Sequence, residues 1–391
     1  MESLADIISD EALRNRTFPT TEECIFLGHA GVGPLPRVAA DAMCKFIDHA
    51  ERGEQENAWT NGQVAAARET AGELIGATAE EISLLGPTSV GLSLVANGLA
   101  WEPGDEVVYY GDDYPANVYP WTSLAGRGVK AVRVETEYPG VITWEHVEAA
   151  LTERTRLVAL ASCNFLSGYR IDVNAIGRNL HERDILFSLD AIQTLGAFPT
   201  TVEHVDFLSA DSHKWMLGPA TAGIFYVDKN RGELLTPTLV GSWNVHSPDF
   251  VAQERIRYHA DGRRYEPGML NIPGIVGMLA SMELLVGFGI ETIGERLLDL
   301  RRALLDAVRP LGYRLYLEEY DLDSATTDAN RSAIVTLTHP ERDMEALFGE
   351  LRRENVIASL RKNRAGQSFI RFSPHCYNTL AEIGRVAEIL A

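Results

Sequence analysis

Lysine is scarce in this 391-residue chain, with five lysines against thirty arginines, so each can be weighed by its setting. Lys45 sits in an amphipathic helical pattern, Lys130 opens an apolar run, and Lys229 and Lys362 lie in polar turns. Lys214 differs. It lies in SADSHKWMLGPATAGIFYV, just after one apolar strand-like run and before another, flanked by His213, Trp215 and Met216. Burial at such a junction penalises the ammonium form and favours a neutral, nucleophilic amine. The same placement also suits a snorkelling or ion-paired lysine.

Asp190 ends the run DILFSLD. Ligand sites in open parallel sheets lie off the carboxyl ends of strands, so this carboxylate should face such a crevice; it also suits a helix cap for AIQTLG. A third feature is Gly86-Pro87-Thr88-Ser89-Val90, followed by Leu92, Val95, Ala96 and Leu99 at helical spacing. Free N–H groups and the positive dipole end at a helix start favour a phosphate, although Ser and Thr there also serve as plain caps. Taken together, an amine able to trap an aldehyde and an anion able to hold a ring nitrogen protonated are what pyridoxal 5′-phosphate (PLP) requires.

These residues need a scaffold. EVVYY (106–110), KAVRVE (130–135), RLVALAS (156–162), DILFSLD (184–190), DFLSA (206–210) and GIFYV (223–227) read as strands buried on both faces. Helical segments such as WEHVEAALTE (144–153) and NAIGRNLHERD (174–184) alternate with them. That alternation predicts an α/β fold with a mostly parallel sheet flanked by helices. A helical pattern covers residues 275–308, with breaks expected at the glycines of 287–289 and at Gly294. A domain junction is placed near 270–290. It gives a large domain over 17–270 and a smaller C-terminal α+β domain over 271–391, joined by residues 1–16.

The net charge of −20 and pI near 4.9 argue against nucleic acid or an anionic membrane as partner. No secretory signal or membrane-spanning run is visible, and Cys24, Cys44, Cys163 and Cys376 are scattered without CxxC spacing, as in a reduced cytoplasmic protein. No metal-ligand spacing, P-loop or GxGxxG loop is present.

The strings HAGVGPLP (29–36), GPTSVG (86–91), DDYPANVYPW (112–121), CNFLSGYRID (163–172), SLDAIQTLGAFP (188–199), SADSHKWMLGP (209–219), RYEPGMLNIPGI (264–275) and IRFSPHCYNT (370–379) complete the pattern. In this order, over nearly the whole chain, they resemble the class V aminotransferase family of fold-type I PLP enzymes. That family includes cysteine desulfurases, selenocysteine lyases, isopenicillin-N-epimerase-like proteins and kynureninase. The resemblance implies that Lys214 holds PLP as a Schiff base and then serves as the base at Cα. Asp190 would pair with the pyridinium nitrogen, Gln193 would hydrogen-bond the phenolic oxygen, and Tyr114 would stack on the ring. Thr88, Ser89 and His213 would hold the phosphate. Arg371 would clamp the substrate carboxylate, with Asn164 near that carboxylate or the PLP oxygen, and His29-Ala30-Gly31 at the mouth. A small amino-acid substrate and a homodimer are implied as well.

Two departures qualify the likeness. Met269 stands in GMLN where the family often has a threonine that reaches the neighbouring subunit's phosphate. The segment SLRKNRAGQSFIR (359–371) holds no cysteine, where desulfurases and selenocysteine lyases of the family carry their nucleophile. A persulfide-forming desulfurase is therefore disfavoured. Aminotransferase chemistry needs no residue beyond the shared set. A cysteine or cystine C–S lyase needs only a leaving group on Cβ, and an epimerase needs a second acid, for which Tyr114, His29 and Cys163 are candidates. A catalytically silent PLP-binding relative is the remaining alternative, and the intact lysine, aspartate and arginine set argues against it.

Overall fold

The structure, a computed structural model, describes residues 2–321 and 327–391. Its central sheet has seven strands: β1 Ile82–Leu84, β2 Glu106–Tyr110, β3 Lys130–Val134, β4 Thr155–Ala161, β5 Leu186–Asp190, β6 Phe207–Asp211 and β7 Gly223–Val227. They lie in the order β1-β7-β6-β5-β4-β2-β3. Strands β3, β2, β4, β5 and β6 are parallel, while β7 runs antiparallel to both β6 and β1.

The apolar runs are explained by cover on both faces. Val107, Tyr109, Leu157, Ala159, Leu186 and Phe207 join a core with Leu92, Val95 and Ala96 of the helix Thr88–Gly98. The alternate residues Val108, Val158, Leu160, Phe187, Leu189 and Leu208 join a larger core with Ile176, Leu180 and the helix Ile272–Phe288. The exception is β3, expected to be buried throughout. It lies at one edge of the sheet, and its Lys130 and Arg133 are exposed.

The long helical pattern resolves into Ile272–Phe288 and Ile290–Val308, broken at Gly289, whose φ is +83°. Gly294, expected to break it too, lies inside the second helix. A Cβ there would sit 3.1 Å from Phe198 Cδ1, so the glycine permits close packing and does not end the helix. A second, four-stranded antiparallel sheet comprises β8 Arg314–Leu315, β9 Val335–Thr338, β10 Ser359–Lys362 and β11 Ser368–Phe372, in the order β10-β11-β9-β8. Val335, Leu337, Ile370 and Phe372 build a separate core with Leu300, Leu304, Leu347, Leu351, Ile383 and Val386 of three helices. The N-terminal segment bridges toward this unit: Ile25–Phe26 pairs in parallel with Val356–Ile357, and Gly28 bridges to Ser373. Among the described residues, no single helix is long and apolar enough to cross a membrane.

Candidate active site

Four of the parallel strands deliver side chains at their carboxyl ends, where peptide groups and helix starts leave a crevice. Tyr114 follows β2, Asn164 follows β4, Asp190 closes β5, and Lys214 comes three residues after β6. Because β5 and β6 are neighbours, with Asp190 opposite Ser209, the carboxylate and the lysine emerge side by side. A cavity of about 300 Å³ gathers Lys214, Asp190, Gln193, Tyr114, Thr88, Ser89, His213, Ala30 and Arg371.

The surroundings of Lys214 set its chemistry. It is 8 % exposed. Burial pushes its amine down to about 8, Asp190 pulls it back up, and Arg371 and Arg361 push it down further. Such an amine is a far better nucleophile at neutral pH than an ordinary lysine. The Tyr114 ring centroid lies 5.4 Å from Lys214 Nζ and makes an edge contact with Phe165. Asp190 accepts the Ile192 N–H on Oδ1 at 3.0 Å, and its other oxygen makes no hydrogen bond among the described residues. Burial raises its carboxyl above the usual carboxylate range. The capping role is thus partly realised, on a turn, with one oxygen left over.

The helix Thr88–Gly98 has no side-chain cap, so Thr88 and Ser89 are not spent as ordinary caps. Thr88 Oγ1 instead accepts the Asp211 N–H at 2.9 Å, pinning the helix start to β6. Gly91 makes this approach possible, since a Cβ there would lie 2.4 Å from Ser209 Oγ. His213 Nδ1 lies 3.1 Å from Asp211 Oδ2 at an angle that makes no hydrogen bond. Gln193 is held at both ends, its Nε2 donating to Ala30 O at 3.1 Å and its Oε1 accepting Trp215 Nε1–H at 2.8 Å. Arg371 reaches the cavity from β11. Its Nη1 donates to Phe165 O at 2.6 Å, while Nε and Nη2 are buried without a partner among the described residues.

Three expected residues are not brought into the cavity. His29 is fully buried, with Nδ1 at 3.0 Å from Ser373 O and Nε2 at 2.8 Å from Tyr377 Oη, so it packs behind the site and does not line its mouth. Asn164 lies on a neighbouring cavity, and its Oδ1 is consumed by the N–H groups of Leu166 and Ser167. Cys163 is buried and burial pushes its thiol up to about 11, which removes it as an acid for the opposite face.

Two residues were not singled out from sequence. Arg361 of β10 lines the cavity beside Arg371. Asp113 is buried behind Tyr114, accepting the Tyr114 N–H at 2.7 Å and Asn117 Nδ2–H at 3.0 Å. Burial and the Asp190 charge push its carboxyl up to about 7. The only sequence signal for Asp113 is its position next to Tyr114, and Asp112 beside it has no such environment.

With the geometry in hand, residues 25–386 match the profile of the aminotransferase class-V family. The chain belongs to this family. As a class-V aminotransferase family member it is a PLP-dependent enzyme acting at Cα of an amino acid. It is 29 % identical over 285 residues to a probable cysteine desulfurase of Methanothermobacter thermautotrophicus, covering 71 % of this chain and 70 % of that one. An uncharacterized aminotransferase of Bacillus subtilis is 26 % identical over 83 % of this chain and 82 % of its own. In fold it is similar to the apo cysteine desulfurase of Thermococcus onnurineus NA1, with a TM-score of 0.86 and 21 % identity over 100 % of this chain and 97 % of that one. It is also similar to the cystine C–S lyase C-DES, with a TM-score of 0.84 and 20 % identity over 95 % and 98 % of the two chains.

Proposed function

We propose that this class-V enzyme carries out aminotransferase-type chemistry on a small amino acid, with Lys214 as the residue that holds PLP and handles the Cα proton. The observation that carries the reading is one cavity holding a buried amine of lowered basicity, a carboxylate with a spare oxygen and a guanidinium with two buried unpartnered nitrogens. The residues fit the cofactor. Lys214 would hold its aldehyde, and Asp190 would pair with its ring nitrogen. The amide of Gln193, fixed by Trp215, has an N–H left that would serve its phenolic oxygen, and Tyr114 would stack on the ring. The N–H groups of Thr88 and Ser89, with their hydroxyls and His213, would hold the phosphate. When bound, PLP supplies the electron sink that makes a Cα proton removable.

The protein's own residues do the rest. Arg371 binds the substrate carboxylate through Nε and Nη2, which fixes Cα over Lys214. Nζ, neutral in a useful fraction at pH 7, takes the proton and can return it elsewhere. Epimerisation would need an acid on the opposite face, and of Tyr114, His29 and Cys163 only Tyr114 lines the cavity. None of the four cysteines lines it, which disfavours persulfide chemistry. We further propose a cytoplasmic homodimer of two-domain subunits, split near 270–290. The exposed apolar Leu239, Val240, Phe250, Val251, Ile256 and Met269 support the dimer, as surface for a second copy.

The test mixes purified holoenzyme with a panel of amino acids while keto acid, sulfide and D-isomer are assayed. Keto acid formed with a visible spectral change, and lost in Lys214→Ala, supports the reading. Sulfide with pyruvate would move the assignment to a C–S lyase, and D-isomer to an epimerase. A visible absorbance with no product from any amino acid would leave a silent PLP-binding relative, and a protein that stays colourless with added PLP would overturn the PLP reading itself.

A further inference from the structure

The small sheet places two arginines together in the site. On β10 and β11, Ser359 pairs with Arg371 and Arg361 with Phe369. Directly paired antiparallel residues share a face, so Arg361 and Arg371 are diagonal neighbours on it, about 7–8 Å apart at Cβ. Both line the cavity that contains Lys214. Neither has an ion-pair partner among the described residues, whereas most other arginines do. Three of their nitrogens, Arg371 Nε and Nη2 and Arg361 Nε, are buried with no hydrogen bond among the described residues.

Two cations held side by side without an anion repel each other: burial, and after it the Arg361 charge, push the Arg371 guanidinium down to about 9. One α-carboxylate satisfies one guanidinium through a bidentate pair. A second guanidinium is left over. The cofactor's phosphate does not claim it, because that group is assigned to the helix start at Thr88 and Ser89 on the large sheet's side of the cavity.

We propose that Arg361 binds a second anionic group, so that the preferred substrate is a short amino acid whose side chain ends in a carboxylate or sulfinate. The inference rests on the assignment of Arg371 to the α-carboxylate. The diagonal placement on one face keeps the two anions close, as in a short dicarboxylic skeleton of four or five carbons.

The test uses holoenzyme and two inert anions, succinate and butyrate, whose dissociation constants are measured by calorimetry on wild type, Arg361→Gln and Arg361→Lys. A hydrogen bond to a charged group contributes about 1.5–3 kcal/mol, so succinate should bind roughly 10- to 100-fold more tightly than butyrate. Arg361→Gln should erase that advantage and Arg361→Lys restore part of it. In parallel, the ratio of kcat/KM for aspartate or cysteine sulfinate over that for alanine should fall roughly tenfold or more in Arg361→Gln. No succinate advantage in wild type, or an equal loss of both anions in Arg361→Gln, would overturn the proposal. Anion binding needs neither an amine nor turnover, so its failure falls on Arg361, while an absent visible absorbance would fall on Lys214.

Discussion

The amine of Lys214 offers the sharpest quantitative test. With its basicity lowered to about 8 from the ordinary 10.5, roughly one molecule in ten carries a neutral Nζ at pH 7. An unperturbed lysine would have about one in three thousand. The rate at which apo-protein captures PLP, followed by stopped-flow absorbance, should therefore show a plateau above about pH 9. It should fall about tenfold per pH unit below about 7. Asp190 is the neighbour that holds the amine's basicity up, so Asp190→Asn should move the midpoint to lower pH. A midpoint near 10.5 in wild type, or an upward shift in Asp190→Asn, would refute the placement of Lys214 beside that carboxylate. Stability carries the same signature. The folded-state value lies below the unfolded one, so the unfolded chain binds more protons between pH 8 and 10.5. Apo wild type should gain up to about 3 kcal/mol relative to Lys214→Ala as pH rises through that window.

Three further outcomes follow from the site. Arg371→Ala removes the guanidinium that faces the substrate carboxylate, so kcat/KM should fall roughly 30-fold or more with KM rising, checked by steady-state kinetics. Asp113 is opposite in sign to Lys214: its folded value, about 7, lies above the ordinary 3.8, so the unfolded chain binds fewer protons in that window and the folded state is penalised as pH rises through it. Urea titrations should show wild type gaining stability over Asp113→Asn between pH 7 and 4, by up to about 4 kcal/mol. Trp215→Phe strips the 2.8 Å donor from Gln193 Oε1. The unpaired acceptor should cost about 1–3 kcal/mol in urea unfolding, and the freed amide should shift the holoenzyme's visible absorbance maximum.

Much of the site was legible because it sits on regular punctuation. Asp190 and Lys214 end or follow runs whose apolar character is unbroken, and such runs mark the carboxyl edge of a parallel sheet. Gln193 and Ser89 came with their neighbours in family strings. What sequence could not supply was tertiary partnership. His29 shares a string with Ala30, yet one residue of backbone turns it inward to Ser373 and Tyr377 while Ala30 faces the cavity. Asn164 follows β4, but its side-chain carbonyl is drawn into its own turn by Leu166 and Ser167. Arg361 is one arginine among thirty, and only the register of β10 on β11 sets it beside Arg371. Gly294 carried a helix-breaking signature whose reason was packing against Phe198.

The central claim is that Lys214 alone among the five lysines holds the cofactor. Borohydride reduction of holoenzyme, followed by proteolysis and mass spectrometry, should place a pyridoxyl label on the peptide that contains Lys214 and on no peptide of Lys214→Ala. A label on Lys45, Lys130, Lys229 or Lys362, or no label at all, would contradict it.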